Sequence, residues 1–248
     1  MMMNNPSDYD SLIAHLKDLQ NKCELWHKNL ASSFLNEDEI AYVKKYFPEN
    51  AYTKYAGGYD GARKKKVIFL YDEEGGFCDI VCLKARIDQR FRKISHRDVL
   101  GALMHLQVDI HSFGDFWVED DCIYLYTSEM MSEFLIDNLV KINQLSVKFE
   151  RIDYYPTQVF KTKEFSNIVA SERLDSLVAG ITHSSRAKAK ELIKNGLVQV
   201  NHIIVEQPDK LCDNNITISI RHVGRFEYLG SEHQTKSGRI VAKFLQYI

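Results

Sequence analysis

Ser185 to Asn201 reads Ser-Arg-Ala-Lys-Ala-Lys-Glu-Leu-Ile-Lys-Asn-Gly-Leu-Val-Gln-Val-Asn. Residues 185–195 are helix formers behind a capping serine, Gly196 stands at the expected C′ position, and Leu197 to Val200 read as a strand. On a helix, Arg186, Lys190 and Lys194 fall at about 0°, 40° and 80° around the axis, with Ala189, Leu192 and Ile193 on the neighbouring, core-facing arc. Cations in a regular row beside a buried face suit the phosphates of a nucleic-acid backbone. An isolated basic triplet is an ordinary solvated face, so the surroundings decide between the two readings.

Upstream, Ser171 is placed to cap a helix whose Leu174, Leu177, Val178 and Ile181 recur at helical spacing. Thr182 to Ser184 turn the chain into the basic helix. Downstream, Ile216–Ile220, Phe226–Leu229 and Ile240–Leu245 read as strands, which makes two short helices on a small curved sheet over 168–248. A linker holding Pro156, Thr157 and Lys161 to Lys163 precedes this unit. Before it, strand Ile80–Ile87, helix Arg97–Leu106, a hairpin of Phe113–Val118 and Ile123–Tyr126, helix Met130–Ile142 and strand Ser146–Ile152 give the order β-α-β-β-α-β over 79–157, an RRM-like arrangement. Residues 1–78 hold a helix from Ser7 to Leu30, a second helix opened by Asn36 and Glu39 as a capping box, and strands near 52–58 and 66–72. The expected fold class is α+β in three units.

The 248 residues are 45% hydrophobic with 4 Pro, which excludes a disordered or low-complexity chain. The net charge of −2 excludes a uniform polycation, yet 1–157 carry −6 and 158–248 carry +4. Inside the acidic part, Lys84, Arg86, Arg90, Arg92, Lys93 and Arg97 face a single acid, Asp88, with Phe91 and His96 interleaved as candidate stacking partners for bases. Tyr124 and Tyr126 share one strand face and read as fold residues rather than base platforms, because Glu119-Asp120-Asp121 beside them is acidic. Arg63 to Lys66 reads as a solvated strand end, and Gly57-Gly58-Tyr59-Asp60-Gly61 as a loose turn. No signal peptide, membrane span, metal-ligand spacing or cofactor motif is visible, and Cys23, Cys78, Cys82, Cys122 and Cys212 fit a reducing, cytoplasmic compartment.

The basic string, with Arg173-Leu174-Asp175 before it and Asp213-Asn214-Asn215-Ile216 and Arg221-His222-Val223-Gly224-Arg225-Phe226 after it, resembles the alpha-L RNA-binding domain typified by small-subunit ribosomal protein four, here the S-four domain. The resemblance implies RNA contact by Arg173, Ser185, Arg186, Lys190 and Lys194, with Arg221 and Arg225 projecting from the sheet. Phe91 to Met104, Gly114-Asp115 and Val147-Lys148-Phe149-Glu150 look like the YlmH family, in which an N-terminal unit, an RRM-like unit and a C-terminal S-four domain follow in this order. The family carries a glycine where His222 stands, and a more basic stretch where Glu232 to Lys236 stand. What the resemblance implies is a monomer without cofactor that binds rRNA of the large ribosomal subunit and peptidyl-tRNA. It would support alanine tailing of stalled chains with other quality-control factors, and it carries a link to cell division. Arg86, Arg90, Arg92, Lys93 and Arg97 would form the second RNA patch.

Two other classes compete. S-four domains also accompany pseudouridine synthases, and Arg173-Leu174-Asp175-Ser176 echoes the loop that holds a synthase's catalytic aspartate. Asp175, however, lies in an apolar-periodic helix with no catalytic domain after it, and the chain has no P-loop, nucleophile elbow or dinucleotide glycine motif. A protein-only scaffold would fold without any RNA affinity.

Overall fold

The computed structural model describes residues 6–72, 79–88, 90, 93–235 and 238–248, with side chains from residue 9 onward. The chain divides into two compact units, Met1–Gln158 and Val159–Ile248.

The first unit opens with α1 (Pro6–Trp26), whose Leu12, Leu16 and Cys23 are buried. The helix stops short of the expected Leu30 because His27 turns left-handed at φ 52°, and Leu30 enters β1 (Leu30–Ala31) instead. The proposed Ser7 cap lies outside the described side chains. α2 (Glu37–Val43) begins at the expected capping box, Asn36 accepting from the Glu39 backbone and Glu39 from that of Asn36. β2 (Thr53–Ala56) and β3 (Lys66–Phe69) complete a three-stranded sheet, order β1-β3-β2.

Next come β4 (Ile80–Arg86), α3 (His96–His105), β5 (Phe113–Glu119), β6 (Cys122–Ser128) and α4 (Glu129–Asn138). A small hairpin of β7 (Lys141–Ile142) and β8 (Leu145–Ser146) follows, then β9 (Phe149–Ile152). The antiparallel order β5-β6-β4-β9 is that of a split βαβ fold, with the first and third strands of the βαββαβ series at the centre. α4 ends before the expected Ile142, because Asn143 at φ 53° closes the β7–β8 turn. One sheet face packs α3 and α4 through Leu83, Leu103, Leu125, Leu135 and Phe149.

The opposite face receives the N-terminal segment. Phe34 and Tyr59 pack with Trp117, Cys82 and Tyr126. The glycine run is no loose turn: Gly58, at φ 99°, lets the backbone lie on the Tyr126 ring, where a Cβ would collide. Gly58→Ala therefore combines left-handed strain with overpacking and is expected to cost about 2–4 kcal/mol, read by urea unfolding. Arg63 to Lys66 is likewise not a solvated end. Lys64 sends its ammonium to the carbonyls of Ile110 and Phe113, and buried Lys66 pairs with Asp79 at 2.6 Å.

Polar groups complete this joint. Buried Asp115 accepts from the Tyr59 hydroxyl and from the amides of Arg63 and Lys64. His111 Nε2 meets Glu39, 1% exposed, at 3.0 Å, and its Nδ1 meets Asp109 at 3.0 Å. The hydrogen bond to Glu39, against the opposing effect of burial, raises the His111 pKa above its ordinary 6.5. A raised folded pKa adds stability that is complete below that ordinary value and fades as pH climbs through the raised one. Thermal melts of the first unit should lose stability over that rise, and His111→Gln should remove this component. Lys64, lowered to about 8 by burial, adds a slope of opposite sign above that pH, and the difference between the two proteins cancels it.

In the second unit, β10 (Thr162–Val169) occupies most of the expected linker and pairs with the last strand along its whole length. α5 (Leu174–Thr182) and α6 (Arg186–Lys194) follow. α5 starts at Leu174 with Arg173 at its N-cap, while the expected cap, Ser171, meets the Ser176 hydroxyl at 3.2 Å. β11 (Val198–Val200), β12 (Ile203–Ile204), β13 (Ile216–Ile220), β14 (Gly224–Gln234) and β15 (Ile240–Tyr247) form a bulged sheet, order β10-β15-β14-β13-β11-β12. Both helices bury one face on it, through Leu174, Leu177, Val178, Ile181, Ala189 and Ile193 against Val198, Ile218, Phe226, Tyr228 and Phe244.

Candidate nucleic-acid interface

The start of α5 is fixed by backbone bonds to the loop ahead of β13. The Leu174 amide donates to Lys210, the Asp175 amide to Pro208, and Arg173 bridges Leu211. α6 is set by its cap, Ser185 Oγ accepting the Lys188 amide at 3.2 Å, and Gly196 closes it at φ 67°. Packing of α6 on α5 brings three of the candidate cations onto one anion. Asp175, 0% exposed, accepts Arg186 Nη2 on both oxygens at 2.8 and 3.0 Å. Arg173 donates from Nε at 3.3 Å and Nη2 at 3.4 Å, and Lys190 Nζ stands 3.8 Å away. Burial pushes the Asp175 carboxyl up, but Arg173 and Arg186 outweigh it and hold the pKa below the ordinary carboxylate value. Three cations around one carboxylate leave a surplus of two positive charges, borne by half-exposed side chains.

This corrects the picture of an unattached basic row. Arg186 and Lys190 are tied to Asp175, and Lys194 extends the row, exposed, in the last turn of α6. Arg221 is exposed in the turn after β13. In the same turn His222 takes φ 65°, a left-handed conformation that glycine adopts at no steric cost. Arg225 does not project freely. It is half-buried on β14, its guanidinium 5.1 Å from the Tyr247 ring centroid and its Nη2 3.4 Å from His202 Nε2.

The middle patch is thinner than its charge count. Arg86, Lys93 and Arg97 are exposed, whereas Arg90 donates from Nε to Asp88 at 2.9 Å. Arg92 and Phe91 lie outside the described residues. The exposed His96 ring stacks one face on Phe116 at 4.1 Å. Asp98, the acid expected to pair with Arg97, accepts from Ser95 and Asn143. Tyr126 is a core residue, as expected, and Tyr124 stacks on Trp117. Lys84 donates to Tyr154 at 2.9 Å, so these groups serve one another on the open part of the sheet. Among the described residues no His/Cys/Asp/Glu cluster could hold a metal, and no helix is long and apolar enough to cross a membrane.

A helix pair with a surplus of cations, carried on a curved antiparallel sheet and preceded by a βαββαβ unit, defines the chain as an RNA-binding protein of the S-four class. Residues 172–215 match the family described as "S4 domain", and residues 77–156 match "Putative RNA-binding domain in YlmH". The chain is 30% identical over 191 residues to "Ribosome-associated protein quality control protein P2" of Bacillus subtilis (strain 168), which covers 75% of this chain and 74% of that relative. It also resembles the solved structure of the cell division protein ylmH from Streptococcus pneumoniae, with a TM-score of 0.47 and 15% identity over 61% of this chain and 95% of that one. The chain belongs to the YlmH family.

Proposed function

We propose that this protein is a non-catalytic factor that binds the large ribosomal subunit, touching rRNA and peptidyl-tRNA, and serves quality control of stalled nascent chains. The observation that carries the reading is the cluster of Arg173, Arg186 and Lys190 around Asp175, with Lys194 beyond it, on the domain that matches the S-four family. A surplus of fixed cations binds phosphate with little reorganisation. The name of the Bacillus subtilis relative supports the ribosomal setting. Spending Asp175 on holding arginines supports a binding role over synthase chemistry.

In this reading the working parts are 168–248, which grips structured rRNA, and 79–157, whose exposed Arg86, Lys93 and Arg97 add a weaker contact, with 1–78 as a further unit. Two weak sites on one chain raise the overall affinity through effective concentration. The protein acts as a cytoplasmic monomer beside other quality-control factors, with a link to cell division. The test is pelleting of the full chain with purified large and small subunits. Salt-sensitive co-sedimentation with the large subunit is expected, and equal or absent binding to both contradicts the reading.

A further inference from the structure

A carboxylate inside an anion-binding surface calls for an explanation. It lowers the local potential, opposes phosphate, and costs desolvation where Leu174, Leu177 and Val178 show that an apolar side chain could pack. The layering answers the first objection. Asp175 is fully buried, while Arg173, Arg186 and Lys190 are 37%, 46% and 47% exposed, so the anion lies beneath the cations that a ligand would meet. The donor inventory answers the second. Arg186 gives only Nη2 to the carboxylate, and among the described residues its Nη1 and Nε make no hydrogen bond. A guanidinium gripped at Nη2 keeps Nη1 and Nε as donors on two separate edges of a plane whose orientation is already set, so one of them can meet a phosphate oxygen without reorganisation. Its rotamer is selected before the ligand arrives, which removes part of the entropic cost of binding.

We propose that Asp175 is a positioning residue for RNA recognition, whose buried carboxylate fixes the plane of the Arg186 guanidinium, and beside it that of Arg173, so that these cations face one backbone phosphate. The inference rests on the RNA-binding reading above and assigns that surface its orienting group.

Charge counting and positioning predict opposite signs for one substitution. Asp175→Asn keeps the shape and removes a negative charge, so a simple electrostatic surface would bind RNA more tightly. Positioning predicts affinity weaker by about tenfold and a salt slope smaller by about one, the loss of one phosphate contact. The measurement is fluorescence anisotropy of a labelled RNA stem-loop titrated with the full chain, between about 50 and 200 mM salt. Arg186→Lys provides a second arm: it conserves charge at an exposed position, and a lysine cannot span carboxylate and phosphate, so the same loss is expected. Side-chain NMR supplies a signature that mere folding would not move. The Arg186 Nη2 protons, held by Asp175, should be distinct and protected in the wild type, and averaged with the other arginines in Asp175→Asn. If Asp175→Asn does not fold, Arg186→Lys decides. Unchanged or tighter binding in either folded variant, with the wild type binding RNA, overturns the positioning role and leaves the RNA-binding reading standing. A wild type that does not bind the stem-loop overturns both.

Discussion

Replacing Arg186 and Lys190 together with glutamine is expected to lower the protein's affinity for RNA by about 100-fold and to flatten its salt dependence by about two phosphate contacts. Glutamine is the informative choice because of Asp175. A glutamate at position 186 would set a second carboxylate against one that is fully buried, and the damage to the fold would hide any effect on binding. Glutamine removes the charge that a phosphate would meet without setting a second carboxylate against Asp175, which keeps its pair with Arg173. Lys190 lies at ion-pair rather than hydrogen-bond distance from Asp175, so its substitution leaves the helix pair intact. Anisotropy titrations at several salt concentrations read both effects. A double variant with the wild-type slope would show that the α6 face is not a phosphate track.

Tyr126→Ala is expected to destabilise the first unit by about 3–5 kcal/mol, the largest single-residue effect foreseen on the fold. Tyr126 is among the largest fully buried side chains and touches Tyr59, Trp117 and Tyr155, and its hydroxyl donates to the Pro156 carbonyl at 2.8 Å. Removing it takes the floor from under Gly58 and leaves that carbonyl without this donor. Tyr126→Phe loses only the hydrogen bond, so a cost of about 1 kcal/mol is expected. Hydrogen exchange during urea titration measures both and locates them. Protection should fall across the first unit and stay at wild-type level in α5 and α6, because residues 159–248 form a compact unit with their own core. Equal losses in Ala and Phe variants would mean that the ring is not the central packing element.

Local rules made much of this architecture readable. The capping box at Asn36 and Glu39, the Ser185 cap and the C′ glycine at 196 mark helix ends through groups a few residues apart. The apolar periods of α5 and α6 and the βαββαβ order are likewise properties of short stretches. What depends on distant partners stayed hidden. β10 looks like a linker because its residues are mostly polar and exposed, and its order comes from a ladder with β15. Arg63 to Lys66 looks solvated until the carbonyls of Ile110 and Phe113 and the carboxylates of Asp79 and Asp115 surround it.

The candidate site shows the same division. Spacing places Arg186, Lys190 and Lys194 on one side of α6, but it cannot show that α5 offers the first two a buried anion. The signal was Asp175 itself, an acid in an otherwise apolar helix stripe directly after Arg173. A buried acid must be paired, and its partners are Arg173, two residues before it, and Arg186 in α6. Arg225 failed for the opposite reason: strand alternation points it outward, and Tyr247 on the neighbouring strand covers it.

The central claim is that the α5–α6 cation cluster is the surface that meets RNA at the ribosome. Ultraviolet crosslinking of the full chain bound to purified large subunits, with mass spectrometry of nucleotide-bearing peptides, tests it most directly. The account predicts rRNA adducts on peptides containing Arg173 and the stretch from Arg186 to Lys194. Adducts confined to other surfaces of the protein, with none on those peptides, would contradict it.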